Sequence, residues 1–569
     1  MSKFLLVRIS ISLLTFVMAA CVGEPTPPVV DSGIRPANLV FRNGVVYTVD
    51  EQRSIAQAVA IGDGKILAVG TNELVGRYIG ASTEVVDLDG HMLLPGFQDV
   101  HNHAASSGVL LGRCTLHGIS DMQKVLLAID DCIERQPGEG WVLGEGWTLA
   151  IFPPNGIPDR KILDQLISNR PAAFWSYDAH AAWVNSRALE MMGIDASTPD
   201  PEGGRIDRDP ITGELLGGLH ENAMDLIRAL LPPVSDETLV EGVRFAQTKL
   251  NSLGITAVQD PLAETRGGSE YRVLPAYRIM ADRGELTLRV RADMYWEPNE
   301  GISEQIPRLE SLRKQYSGGY LQAGGIKLYQ DGVMETGLAA MLEPYIGLGE
   351  GYRGPAVHEP ADLAAIAIAL DSVGFQLHIH AIGDRAIRDS LDAIEATRMA
   401  NGERDSRHQI AHLELIDPQD IPRFAKLDVI GVFQPQWAYQ DTYVVDMTIP
   451  KIGEQRARWL YPIKSVLNSG GRIAFGSDWS VDTADPLEIM ETAVTRIESL
   501  SNKGEPLFAE EGISVEEAIA AYTIHAAFAN FLNETTGSIE VGKLADLVVL
   551  ERNLLTIPAF EISDAKVLA

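Results

Sequence analysis

From residue 255 onward the chain repeats one unit. A short apolar run ends in, or just before, a residue able to do chemistry, and an amphipathic segment follows. The runs are residues 255–259, 326–329, 375–380, 408–412, 430–433 and 473–476, and segments such as 361–373 separate them. Repeated strand–helix alternation predicts a parallel α/β fold. Lys327, His380, His412 and Asp478 fall at the C-terminal ends of these strands, where (β/α)₈ TIM-type barrels place their functional groups.

Upstream, an apolar stretch ends in Leu94-Pro95-Gly96-Phe97-Gln98-Asp99-Val100-His101-Asn102-His103. Residues i and i+2 of an extended strand point to the same side, so His101 and His103 can aim two imidazoles at one metal ion. Imidazole nitrogen suits borderline metals such as zinc. A lone His-x-His arises often by chance. Here Lys327, His380, His412 and Asp478 follow it in an order that fits one barrel.

The chain has 47 Lys+Arg against 78 Asp+Glu, a net charge of −31. Such a surface repels nucleic acid and anionic membranes, and a small-molecule substrate is the expected partner. Residues 1–21 read as a leader: Lys3 and Arg8 precede an uncharged apolar run too short to span a membrane. Its end, Met18-Ala19-Ala20-Cys21, is similar to a bacterial lipobox. Cys21 is then a lipidated first residue and the protein a membrane-anchored lipoprotein; the competing outcome is plain export to the periplasm. Residues 22–37, with Pro25, Pro27 and Pro28, form a tether. Cys114 and Cys132 flank a helix-like segment, and the sequence leaves a disulfide or two buried thiols equally open.

Residues 38–95 read as short strands and turns, with Gly62-Asp63-Gly64 as a hairpin signal. Residues 534–569 complete the same β-sandwich from the other chain end. The barrel then occupies residues 96–533, with a large insertion at about 108–250.

Together these blocks resemble the metal-dependent amidohydrolase superfamily, most closely amidohydrolase family 3 in its N-substituted formamide deformylase-like branch. Carrying the resemblance are residues 94–103, Asp178-Ala179-His180-Ala181-Ala182-Trp183-Val184-Asn185-Ser186, Gly203-Gly204-Arg205-Ile206, His380-Ala381-Ile382-Gly383-Asp384 and Gly476-Ser477-Asp478. The resemblance implies metal ligation by His101, His103, Lys327, His380, His412 and Asp478. It implies two divalent ions, zinc by expectation, bridged by a carbamylated Lys327, because an ammonium has no lone pair to offer. The plainer role for Lys327 is an ion pair with Asp331 or Asp260.

Asp478 would act as general acid and base, and a neutral His180 would donate to the developing oxyanion. His378 shares a face with His380, but the family block begins at His380, so His378 is read as packed beneath the site. Trp147, Tyr329, Glu335 and Trp437 are pocket candidates. Three departures stand out: Ala411 where relatives often carry Glu, Gln436-Trp437 where they often carry His, and an end at Leu568-Ala569 before the module's usual last strand.

The reading is a metal-dependent hydrolase of amide, N-acyl or N-formyl C–N bonds other than peptide bonds, working as a homodimer. Lactone or ester hydrolysis, deamination, or a non-catalytic binding lipoprotein remain open on the same residues.

Overall fold

The computed structural model describes residues 35–110, 114–153, 156–201, 203–231, 233–265 and 272–569. The leader, its Cys21 and residues 22–34 of the tether lie outside the described residues.

Eight parallel strands form the barrel: β1 (Phe97–Asp99), β2 (Ile255–Glu264), β3 (Arg289–Tyr295), β4 (Leu321–Tyr329), β5 (Gln376–Ala381), β6 (Gln409–His412), β7 (Ile430–Phe433) and β8 (Arg472–Phe475). Each pairs with its neighbour in sequence order. The first and last strands meet where the Val100 N–H donates to Phe475 O (3.1 Å) and the Asp478 N–H to His101 O (2.7 Å).

Strand β3 is not among the apolar runs of the sequence because its charges are spent inside the fold. Arg289 pairs with Asp546 at 2.6 Å, and Arg291 donates to Gln376 Oε1 at 2.6 Å. Asp293 is fully buried against His378.

A helix at Pro360–Ser372 covers the amphipathic segment read from sequence and buries Leu363, Ile366, Ala367 and Leu370 at helical spacing. The helix after β1, Ala104–Leu110, crosses the helix Asp236–Ser252 at two glycines. A Cβ built on Gly108 would sit 2.0 Å from the Gly242 carbonyl oxygen, so only glycine permits this approach.

Outside the barrel lie two small sheets from the chain ends. One orders Lys65–Gly70, Ala58–Gly62, Leu39–Arg42 and Glu84–Asp87; its hairpin turns at Asp63 (φ 50°) and Gly64 (φ 71°). The other orders Leu547–Leu550, Met92–Pro95, Val45–Tyr47 and Ile55–Ala56, so a strand from the far end of the chain pairs with the one leading into β1. The outer edge of Leu547–Leu550 is bordered by residues 567–569. The Leu568 N–H donates to Val549 O and the Val549 N–H to Ala569 O, both at 2.8 Å.

Between β1 and β2 the insertion builds its own six-stranded sheet, in the order Gly204–Arg208, Leu215–Glu221, Ala181–Val184, Ala172–Ser176, Val142–Trp147, Cys114–Thr115. Cys114 and Cys132 form a disulfide with Cα atoms 5.4 Å apart, tying this sheet to the helix Met122–Arg135.

Candidate active site

The ends of the barrel strands bring the sequence candidates to one place. Lys327 lies near the end of β4, His380 near the end of β5 and His412 at the end of β6. His101, His103 and Asp478 sit in the turns after β1 and β8. Those two turns are riveted by buried Asp99. Its carboxylate accepts from the Ser477 hydroxyl (2.5 Å), the Ser477 N–H (3.0 Å), the Asn102 amide (2.8 Å) and the His101 N–H (3.2 Å). His412 (φ 78°) and Asp478 (φ 54°) are held in the left-handed region, strain of a kind that collects at functional sites.

His103 Nε2 is 3.0 Å and His101 Nε2 3.5 Å from Asp478 Oδ1, and Lys327 Nζ is 3.3 Å from His101 Nε2. The His380 and His412 ring centroids are 4.3 Å apart. His101, His412 and Asp478 each offer a donor atom within 4.8 Å of the others'.

Several atoms of this cluster are buried with no hydrogen-bond partner: His103 Nδ1, His380 Nε2 and both ring nitrogens of His412. Buried polar atoms are rarely left so, because each forfeits water without replacement. Burial, and then the Lys327 charge, hold His101 and His412 well below the usual imidazole range; burial and then His412 do the same to His380. These rings are neutral and carry lone pairs. Burial pushes the Asp478 carboxyl up, but His103, His412 and Lys327 outweigh it and bring its pKa down to about 2. Neutral imidazoles and a carboxylate with unmatched lone pairs suit a divalent cation.

A relay fixes one of the rings. His378 Nδ1–H donates to Asp293 Oδ2 at 2.8 Å, which leaves its Nε2 as an acceptor. His101 Nδ1–H therefore donates to His378 Nε2 (2.9 Å), and the His101 Nε2 lone pair faces the cluster.

Lys327 is 1 % exposed and has no carboxylate within ion-pair distance among the described residues. Its two suggested partners are engaged elsewhere. Asp331 accepts the N–H groups of Ala340, Ile382 and Gly383, and Asp260 accepts from the Tyr277 hydroxyl. Burial lowers the Lys327 pKa to about 8, against the pull of Asp478 and Asp293.

The cluster opens into a cavity of about 210 Å³ lined by barrel and insertion together. The insertion contributes His180, whose Nδ1 is 2.9 and 3.0 Å from the two oxygens of Glu221. Burial works against a charged ring here, but Glu221 prevails and raises the His180 pKa to about 9. His180 is thus an imidazolium at neutral pH, which corrects the expectation of a neutral ring: the cross-strand carboxylate was not legible beside it.

Tyr329 lines the cavity with its ring 4.8 Å from that of His380. The other pocket candidates do not line it. Trp147 is fully buried in the insertion, donating to Phe174 O and packing on Phe152 and Trp183. Glu335 accepts from the Thr448 hydroxyl at 2.8 Å. Trp437 stacks behind His412 at 6.0 Å. Asp99, Asp293 and Glu221 were missed by sequence reasoning: Asp293 and Glu221 belong to no short motif, and Asp99, inside the 94–103 block, acts on Ser477 far away in sequence.

Residues 84–569 match the model of the Amidohydrolase family. The chain belongs to that family. Relatives similar to this chain span nearly all of it. Protein LONG AFTER FAR-RED 3 of Arabidopsis thaliana is 32% identical, covering 97% of this chain and 93% of its own. N-substituted formamide deformylase of Arthrobacter pascens is 30% identical over 93% of this chain and 96% of its own. Among solved structures, an uncharacterized metal-dependent hydrolase from Pyrococcus horikoshii OT3 is similar with a TM-score of 0.72 and 25% identity, over 92% of this chain and 99% of that one. This amidohydrolase is an enzyme of the hydrolase class, and its family implies a divalent metal.

Proposed function

We propose that this amidohydrolase cleaves the C–N bond of a small-molecule amide, an N-acyl or N-formyl compound outside a peptide backbone. The observation that carries the reading is the set of buried, unpartnered imidazole nitrogens converging with the Asp478 carboxylate beside a cavity. The similarity to an N-substituted formamide deformylase supports an amide as substrate.

His101, His103, His380, His412 and Asp478 would hold two zinc ions, with Lys327 as a bridging carbamate. The chemistry of Lys327 supports this: CO₂ adds to a neutral amine, and a buried lysine with a pKa of about 8 exposes that form more than an ordinary one. Bound divalent ions supply Lewis acidity, lowering the pKa of water and polarising a carbonyl.

The chain's own groups do the rest. Asp478 takes a proton from the attacking water as the water oxygen bonds to the carbonyl carbon. The imidazolium of His180 donates from Nε2 to the oxygen that becomes negative. Asp478 then passes its proton to the nitrogen as the C–N bond breaks, giving a carboxylic acid and an amine.

The test is metal content per chain of purified protein, beside Lys327→Ala, with hydrolysis of 4-nitroformanilide, 4-nitroacetanilide and N-acetyl amino acids read against Asp478→Asn as blank. About two ions in the wild type and fewer in Lys327→Ala, with amide turnover, are expected from a bridged pair. One ion unchanged by Lys327→Ala would make the lysine structural. Turnover surviving in Asp478→Asn would overturn the assigned acid–base role.

A further inference from the structure

We propose that Glu221 is a positioning residue of the reaction: from the insertion sheet it orients His180 so that Nε2 meets the substrate carbonyl, and Gly332 of the barrel rim makes the room it needs. This rests on the amide-hydrolase reading above and adds a residue to it.

Three independent features place the Glu221 carboxylate. The first is cross-strand pairing. Ala181 faces His220 in the antiparallel pair of Ala181–Val184 with Leu215–Glu221, so His180 and Glu221 are the next residues outward. The Glu221 N–H donates to His180 O at 3.1 Å, closing the pair at the backbone. The second is conformation. Glu221 adopts φ 51°, unusual for a side-chain-bearing residue, and this turns its side chain back onto the imidazole. Both carboxylate oxygens then reach Nδ1, at 2.9 and 3.0 Å. The third is space. A Cβ built on Gly332, just past β4, would stand 2.4 Å from Glu221 Oε1. Barrel and insertion thus fit together at this carboxylate.

The histidine is held from the other side as well. Asp178 accepts the His180 N–H at 3.1 Å and the Ser176 hydroxyl at 2.5 Å, and Ser176 Oγ accepts the Ala181 N–H at 2.9 Å. With backbone and Nδ1 both fixed, Nε2 is the ring nitrogen left to the cavity. The ring stands 5.4 Å from that of His380 and so beside the cluster on which the carbonyl would react. Such a donor must be aimed to within a fraction of an ångström to favour the transition state over the bound substrate. A swivelling imidazole would bind substrate equally well and turn it over slowly.

The experiment compares Glu221→Gln, His180→Ala, the double variant and Gly332→Ala, with 4-nitroformanilide as probe and metal content measured in each. Glu221→Gln should lower kcat by about 10²-fold, as loss of an oxyanion donor does, with KM within about twofold of wild type. Metal content should stay at the wild-type value. The double variant should be no slower than His180→Ala, because two residues acting as one unit are not additive. Gly332→Ala, which displaces the carboxylate and leaves it in the chain, should slow wild type but not Glu221→Gln.

A Glu221→Gln enzyme with wild-type kcat, one that has lost metal, or losses that multiply in the double variant would each overturn the positioning role and leave the amide-hydrolase reading standing. A wild type that turns over none of the amides would sink that reading and Glu221's role with it.

Discussion

The barrel rim and the insertion sheet treat histidine in opposite ways. At the rim, His101, His380 and His412 are buried among one another and beside a lysine, so each is held neutral with a lone pair to give. In the insertion, His180 is less enclosed than these and faces Glu221, so it keeps its charge and has only protons to give. The same side chain is left with a lone pair or with an added proton according to its neighbour. A cavity walled by both offers Lewis basicity on one side and hydrogen-bond donation on the other.

The largest effect that would break this contrast comes from exchanging the roles. His412→Ala should lose metal and activity together, with kcat/KM down by about 10⁴-fold. His180→Ala should lose about 10²- to 10³-fold in kcat with metal content unchanged. Metal analysis beside kinetics reads both, and metal loss in His180→Ala would erase the distinction.

The disulfide offers a stability test of the same division. Replacing Cys114 and Cys132 by serine should cost about 3 kcal/mol in urea unfolding of the insertion, since the bridge closes a short loop. Metal content, held by the barrel, should not change. A variant that loses metal as well would show that the two regions are one cooperative unit.

Asp293→Asn should act more gently. It weakens the relay that presents the His101 Nε2 lone pair, so metal affinity should fall about 10- to 100-fold in a chelator competition. An unchanged affinity would mean that burial alone sets that ring.

The smallest effect is in pH. In metal-free protein, histidine NMR should find His180 titrating near 9, while His101, His380 and His412 stay neutral far below 6.5. A raised pKa contributes stability in full below the unfolded value, and that contribution is lost as pH rises through about 9. The urea midpoints of wild type and Glu221→Gln should therefore converge above that pH. A constant difference would assign the Glu221 contribution to packing.

What was legible in the sequence follows the same division. The rim residues could be read because strand parity and chain order fix them: His101 and His103 share a side, and Lys327, His380 and His412 fall at strand ends. Strand β3 could not, since Arg289, Arg291 and Asp293 look like surface until Asp546, Gln376 and His378 are placed beside them. Glu221 acts on His180, and Asp99 on Ser477, across strands distant in sequence, and no short window contains either pair. Trp147 was misplaced because a tryptophan signals only apolar burial, and the insertion has a core of its own to fill. Glu335 and Trp437 lie near the right loops but turn from the cavity, a choice that depends on side-chain direction.

The antiparallel pairing of Leu547–Leu550 with Met92–Pro95 sets a timetable for biogenesis. The strand that leads into the first wall of the barrel has one edge open until Leu547–Leu550 has been made. At translation rates of about 5–20 residues per second, that wait is on the order of a minute, during which apolar edges stay exposed. Leu547–Leu550 therefore acts as a latch on a strand made long before it. Nascent chains arrested before residue 547 should bind holdase chaperones and resist compaction, while chains extended well past residue 550 should not.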